Sequence, residues 1–173
     1  MARDILKTLK TEHDALRALF DKVNDTTDRA EKTRMQLLEQ IEANLLPHAE
    51  WEETVFYPAF EARADRDGLK THSEAVLEHM AVEQVVMPMV KEAEVDSPEF
   101  AGRVKVFGEL IDHHAKEEET TMFAMARALF SAEERAELDE QYEQWKASPE
   151  ATAAMRGSGA NAGADGQSKS MMG

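Results

Sequence analysis

Seven residues recur almost unchanged 66 positions apart in this 173-residue chain: HAEWEET at 48–54 and HAKEEET at 114–120 agree at five of seven positions. The same shift carries Glu12-His13 onto Glu78-His79. Both copies lie in helix-forming text, so the chain reads as a helical hairpin written twice. Each copy offers an isolated His on its first helix and a His-x-x-x-Glu pair on its second. Residues four apart stand one turn apart on the same helix face, so each pair aims an imidazole and a carboxylate the same way.

Apolar residues at 3–4 spacing mark four amphipathic segments. His13 interrupts the stripe Ile5, Leu9, Leu16, Phe20, Val23; His48 and Glu52 interrupt Leu38, Ile41, Leu45, Val55, Ala59. His72, His79 and Glu83 lie among Val76, Val86 and Val90, and His114 and Glu118 among Phe100, Val104, Phe107, Ile111 and Met125. Capping patterns bound the segments: Asp28 with Glu31 opens the second, Asp65 to Gly68 is a turn before the third, Ser97-Pro98 opens the fourth, and Ser131 with Glu134 opens a short fifth. Pro47 and Pro88 are expected to bend their helices.

The expected fold is all-α: an antiparallel up-down four-helix bundle over 1–130, a C-terminal amphipathic helix over 131–147, and a flexible, disordered low-complexity tail over 148–173. The tail is Gly-rich and carries no apolar period, so it gains too little by burial to offset its ordering entropy.

The interior of such a bundle would be chemically odd. A buried ionised carboxylate costs several kcal/mol unless it is paired, and no Lys or Arg lies on any of the four stripes. A metal ion satisfies imidazoles and carboxylates together, and mixed ligation of this kind suits iron or manganese better than copper or magnesium. With no cysteine in the chain, disulfide frameworks, zinc–thiolate sites and iron–sulfur clusters are excluded. Thirty-five acidic against twenty basic residues leave a formal charge of −15, which argues against nucleic acid or an anionic membrane as partner. Charges every few residues at the start and no long apolar run point to a cytoplasmic protein, a monomer or weak oligomer.

At these residues the sequence resembles the hemerythrin-like, or HHE cation-binding, family. Its succession of His, HxxxE, His, HxxxE corresponds to His13, His48/Glu52, His79 and His114/Glu118, and Glu52-Glu53-Thr54-Val55-Phe56-Tyr57-Pro58 is similar to the family's text after the first HxxxE. The resemblance covers about 3–130. It implies a non-haem di-iron centre in a helical bundle, with imidazoles as terminal ligands and Glu52 and Glu118 bridging or capping the metals. Oxygen-carrying members have a second His one turn after the third-helix His, where this chain has Glu83. The metal ligands expected are therefore His13, His48, Glu52, His79, Glu83, His114 and Glu118.

The function expected is binding of dioxygen, peroxide or nitric oxide, with redox activity; the alternative is a non-catalytic iron or oxygen sensor or metal store. No Glu-x-x-His occurs, which opposes the ferritin-like di-iron pattern. His72 is read as a core or bundle-end residue, His113 with Glu117 as a solvated flank, the Glu50–Glu53 and Glu117–Glu119 runs as mostly surface acid, and Tyr57 and Trp51 as packing near the site.

Overall fold

The apolar stripes become helices in the computed structural model, which describes residues 3–157. Helix α1 spans Ile5–Asn24, and its first turn is closed by Asp4, whose carboxylate accepts from the Leu6 N–H. Helix α2 runs Glu31–Trp51, then through a π-helical turn, Glu52–Phe56, into Tyr57–Glu61. Helix α3 runs Arg66–Ala81, through the π turn Val82–Val86, into Met87–Glu92. Helix α4 runs Pro98–Glu117, through the π turn Glu118–Met122, into Phe123–Leu129. Helices α5 (Ala132–Lys146) and α6 (Pro149–Gly157) follow.

Two of the expected caps form: Ser97 accepts from the Phe100 N–H with Pro98 in the first turn, and Ser131 and Glu134 make a reciprocal capping box. The one expected from Asp28 and Glu31 does not. Helix α2 begins after Ala30 without a side-chain cap, and Asp28 pairs instead with the buried Arg34 at 3.0 Å. Arg34 also donates to Thr26 and to the Val95 carbonyl, so its five donors hold two loops together. Pro58 and Pro88 each follow a π turn, where the wider ring removes the carbonyl clash that proline meets in a regular helix. Pro47 lies inside α2.

Residues 149–157 are helical, where a flexible tail is expected from the composition. Ala151 is fully buried there and α6 packs on α2 and α5; small side chains let the segment lie close. The remainder of the expected tail, 158–173, lies outside the described residues.

Helix α1 packs against α2 and α4, and α3 against α4 and the end of α2. Two apolar clusters result. One joins Leu16, Phe20, Ile41, Leu45, Val90, Phe100, Val104 and Phe107; the other joins Ile5, Leu9, Trp51, Phe56, Phe60, Phe123, Phe130 and Tyr142. The mid-helix His and Glu residues form a layer with one cluster on either side along the chain's helices. Among the described residues no helix is long and apolar enough to cross a membrane.

Candidate metal centre

Six side chains expected at the site meet in the interior: His13 from α1, His48 and Glu52 from α2, His79 from α3, His114 and Glu118 from α4. All six are buried, Glu52 to 0% exposure and Glu118 to 2%. They form two overlapping groups with ligand atoms mutually within 4.8 Å, one of His13, His48, Glu52 and Glu118, the other of Glu52, His79 and His114.

Inside these groups, acceptors face acceptors. The Nε2 atoms of His13 and His48 are 3.2 Å apart, and those of His79 and His114 are 3.0 Å apart. Glu52 Oε1 stands 3.1 Å from His48 Nε2 and Oε2 stands 3.6 Å from His79 Nε2. Glu118 Oε2 lies 3.3 Å from His13 Nε2 and 3.8 Å from His114 Nε2. Both oxygens of Glu52 and Oε2 of Glu118 are buried without a hydrogen-bond partner, a state costing about 1–3 kcal/mol per group and more when charged. Protons or cations must stand between these atoms.

Outside, each imidazole is oriented by a carboxylate on its Nδ1. His13 pairs with Glu119 at 3.1 Å, His48 with Glu12 at 2.9 Å, His79 with Glu53 at 2.9 Å and His114 with Glu78 at 2.8 Å. An imidazole that gives its Nδ1–H outward turns the Nε2 lone pair inward, which is how metal-bound histidines are held. These four carboxylates obey the 66-residue repeat, Glu12 with Glu78 and Glu53 with Glu119. Two of them come from runs expected to be mostly surface acid. Their signal was in the repeat itself, which preserves Glu53/Glu119 as faithfully as the HxxxE pairs.

The outer ring departs from that symmetry in charge. Glu119 receives Arg17 at 2.8 Å and Lys10 at 3.7 Å, and Glu12 receives Lys146 at 2.9 Å and the Tyr142 hydroxyl at 2.6 Å. Burial would raise the Glu12 carboxyl, but the bonds from His48, Tyr142 and Lys146 hold it down at about 2. Burial would depress His48, yet the Glu52 and Glu12 carboxylates lift it to about 10. Burial also opposes ionisation of Glu118, which His114 and His13 nevertheless keep well below the carboxylate range. Tyr57 donates to Glu118 Oε1 at 2.9 Å, and burial together with Glu118 and Glu52 pushes its phenol up.

Glu83 is not brought into either group. It is half-buried, and desolvation with the nearby Glu53 charge raises its carboxyl. Val82 takes the buried position one residue earlier, at the start of the π turn. The repeat pairs Val82 with Leu16 and Glu83 with Arg17, so helix α3 behaves like α1: an apolar residue turns inward and a charged one reaches the rim. His72 meets the Tyr57 ring edge-on, ring centres 5.8 Å apart, and belongs to neither group. Tyr142 and Lys146, on the fifth helix, were invisible as site neighbours in the sequence, because they reach Glu12 across 130 and 134 residues.

The family model for the hemerythrin HHE cation binding domain matches residues 4–126. The chain belongs to that family. A solved hemerythrin HHE cation-binding domain-containing protein, an Rv2633c homologue from Mycobacterium kansasii, superposes with a TM-score of 0.71 over 90% of this chain and 98% of its own, at 23% identity, which shows a shared hemerythrin-like helical fold. A curated protein named DNA nickase, from Nostoc sp. (strain PCC 7120 / SAG 25.82 / UTEX 2576), is 26% identical over 145 residues. That alignment takes in 82% of this chain but spans only 37% of the length of the relative.

Proposed function

We propose that this HHE domain is a non-haem di-iron protein, built as an antiparallel up-down four-helix bundle, that binds dioxygen, peroxide or nitric oxide with redox activity. The observation that carries the reading is the set of orphaned, buried oxygens on Glu52 and Glu118 facing four inward Nε2 atoms. His13, His48, Glu52 and Glu118 would hold one iron, and Glu52, His79 and His114 the other. Neutral imidazoles with anionic carboxylates suit iron, and manganese less well. Glu83, one turn beyond His79 at the rim, would join only by swinging inward. Bound iron would supply a place for a small oxidant to coordinate and a ferrous–ferric couple.

This chain's residues do the rest. Glu12, Glu53, Glu78 and Glu119 fix the imidazole tautomers. Tyr57 keeps a proton on its oxygen, 2.9 Å from Glu118 and 3.2 Å from His79 Nε2, and can offer it as a hydrogen-bond donor toward the centre. Phe56, Phe107 and Met122, all fully buried, exclude water.

A second reading, a non-catalytic iron or oxygen sensor or store, draws on the bonds from Tyr142 and Lys146 to Glu12, which connect His48 to helix α5. Nickase activity is not carried over: a net charge of −15 repels a phosphate backbone.

Metal analysis and an absorption spectrum of protein purified in air test the centre, with about two irons per chain and oxo-to-iron charge-transfer bands expected. Replacing His48 and His114 together by Ala should abolish both; retention of two irons would refute the ligand set. Anaerobic ferrous loading followed by peroxide separates the two readings, many turnovers marking an enzyme and one stoichiometric oxidation a binder.

A further inference from the structure

The two halves of the molecule differ just outside the centre. In the first half, Glu12 Oε2 accepts from His48 and Tyr142, and its outer Oε1 accepts from the ammonium of Lys146. In the second half, Oε2 of the equivalent Glu78 accepts from His114 Nδ1 at 2.8 Å, but its outer Oε1 faces His113 Nε2 at 3.3 Å. Glu117 Oε1 lies 3.7 Å from the same nitrogen. The three ligand atoms are mutually within 4.8 Å. Among the described residues no lysine or arginine ion-pairs with Glu78 or Glu117, so the place a lysine fills in one half is taken in the other by an imidazole, a metal-type donor.

The sequence explains why. The 66-residue shift pairs His113 with Pro47 and Glu117 with Trp51. Trp51 is buried against Tyr142 of α5, ring centres 4.6 Å apart, so the first half is covered by the fifth helix. His113 and Glu117 are 59% and 45% exposed. Glu78 also lines a crevice with Leu45, Val82 and Ile111 that reaches His79 and His114. One carboxylate therefore has an oxygen on the buried ring and another on a solvent-facing imidazole–carboxylate pair.

We propose that Glu78, His113 and Glu117 form an outer site for a divalent first-row transition ion, sharing Glu78 with the ring of carboxylates that orients the inner histidines. One imidazole and two carboxylates fit such an ion, and water completes its shell, so binding is weaker and exchanges faster than inside. The site stands on its own residues and does not require the di-iron reading.

Equilibrium dialysis of the metal-free full chain against Zn²⁺ or Co²⁺ tests it. The wild type should hold one more ion per chain than either His113→Ala or Glu117→Ala at the same free metal concentration. In the Co²⁺ form one set of paramagnetically shifted histidine signals should vanish with His113→Ala. Both residues are exposed, so helicity should not change. Equal stoichiometry in all three proteins overturns the proposal. Loss of the inner ions alone, with the extra ion still dependent on His113, would sink the di-iron reading and leave this one intact.

Discussion

Each histidine of the centre acts through two nitrogens whose duties differ. Nε2 faces the cavity and Nδ1 is held by a carboxylate, so removing the outer carboxylate should loosen the ligand without removing it. Glu53→Gln or Glu119→Gln should each lower metal affinity by about 10–100-fold, the usual cost of losing an outer partner. Competition with a chelator measures this; unchanged affinity in both would show that the outer ring does not orient the imidazoles. Glu119 sits between Arg17 and Lys10, whereas Glu53 faces Glu83. The imidazole of His79 therefore looks out on more negative charge than that of His13, although the inner ligands repeat.

At the scale of the elements, α1 and α4 approach closely where Gly108 lies under Phe20. A Cβ added to Gly108 would come within 3.0 Å of the Phe20 ring, which is packed edge-on against Phe107 and cannot retreat freely. Gly102, on the same helix, has nothing within 4 Å of that position. Gly108→Ala should cost about 1–3 kcal/mol through overpacking, and Gly102→Ala should gain about 0.5–1 kcal/mol from helix propensity. Denaturant midpoints of the two variants should move in opposite directions. If both gain stability, the two helices are not in the close contact described. The π turns belong to this scale as well. In α2 and α4 they begin at Glu52 and Glu118, which face the centre, and in α3 at Val82, the buried residue next to Glu83.

For the whole molecule, the centre couples folding, protons and metal. In the metal-free chain His48 is raised from 6.5 to about 10, so its contribution to stability is full below pH 6.5 and is lost as pH rises through 10. Glu12 is lowered from 4.5 to about 2, so its contribution is full above pH 4.5 and is lost as pH falls through 2. Both operate fully only between pH 4.5 and 6.5. A metal ion bound by His48 as proposed would displace its proton, so loading should release protons into weakly buffered solution at pH 7, and affinity should rise with pH through neutrality. A pH-stat trace during metal addition checks this; loading without proton release would mean that His48 is already neutral.

The primary sequence determined which imidazoles and carboxylates share a helix face, because spacing along one helix converts directly into direction. His13, His48/Glu52, His79 and His114/Glu118 were legible for that reason, as were the 66-residue repeat and the Ser97 and Ser131 caps. Tertiary structure decided what no single helix encodes. It left Glu83 at the rim with Val82 turned inward, as Arg17 and Leu16 are in α1. It turned Glu53 and Glu119 from apparent surface charge into supports for histidines 26 and 106 residues away, and set Tyr142 and Lys146 of α5 on Glu12 where the equivalent Glu78 meets His113. Local periodicity fixes a side chain's direction, but its partner depends on which distant helix packing brings opposite it.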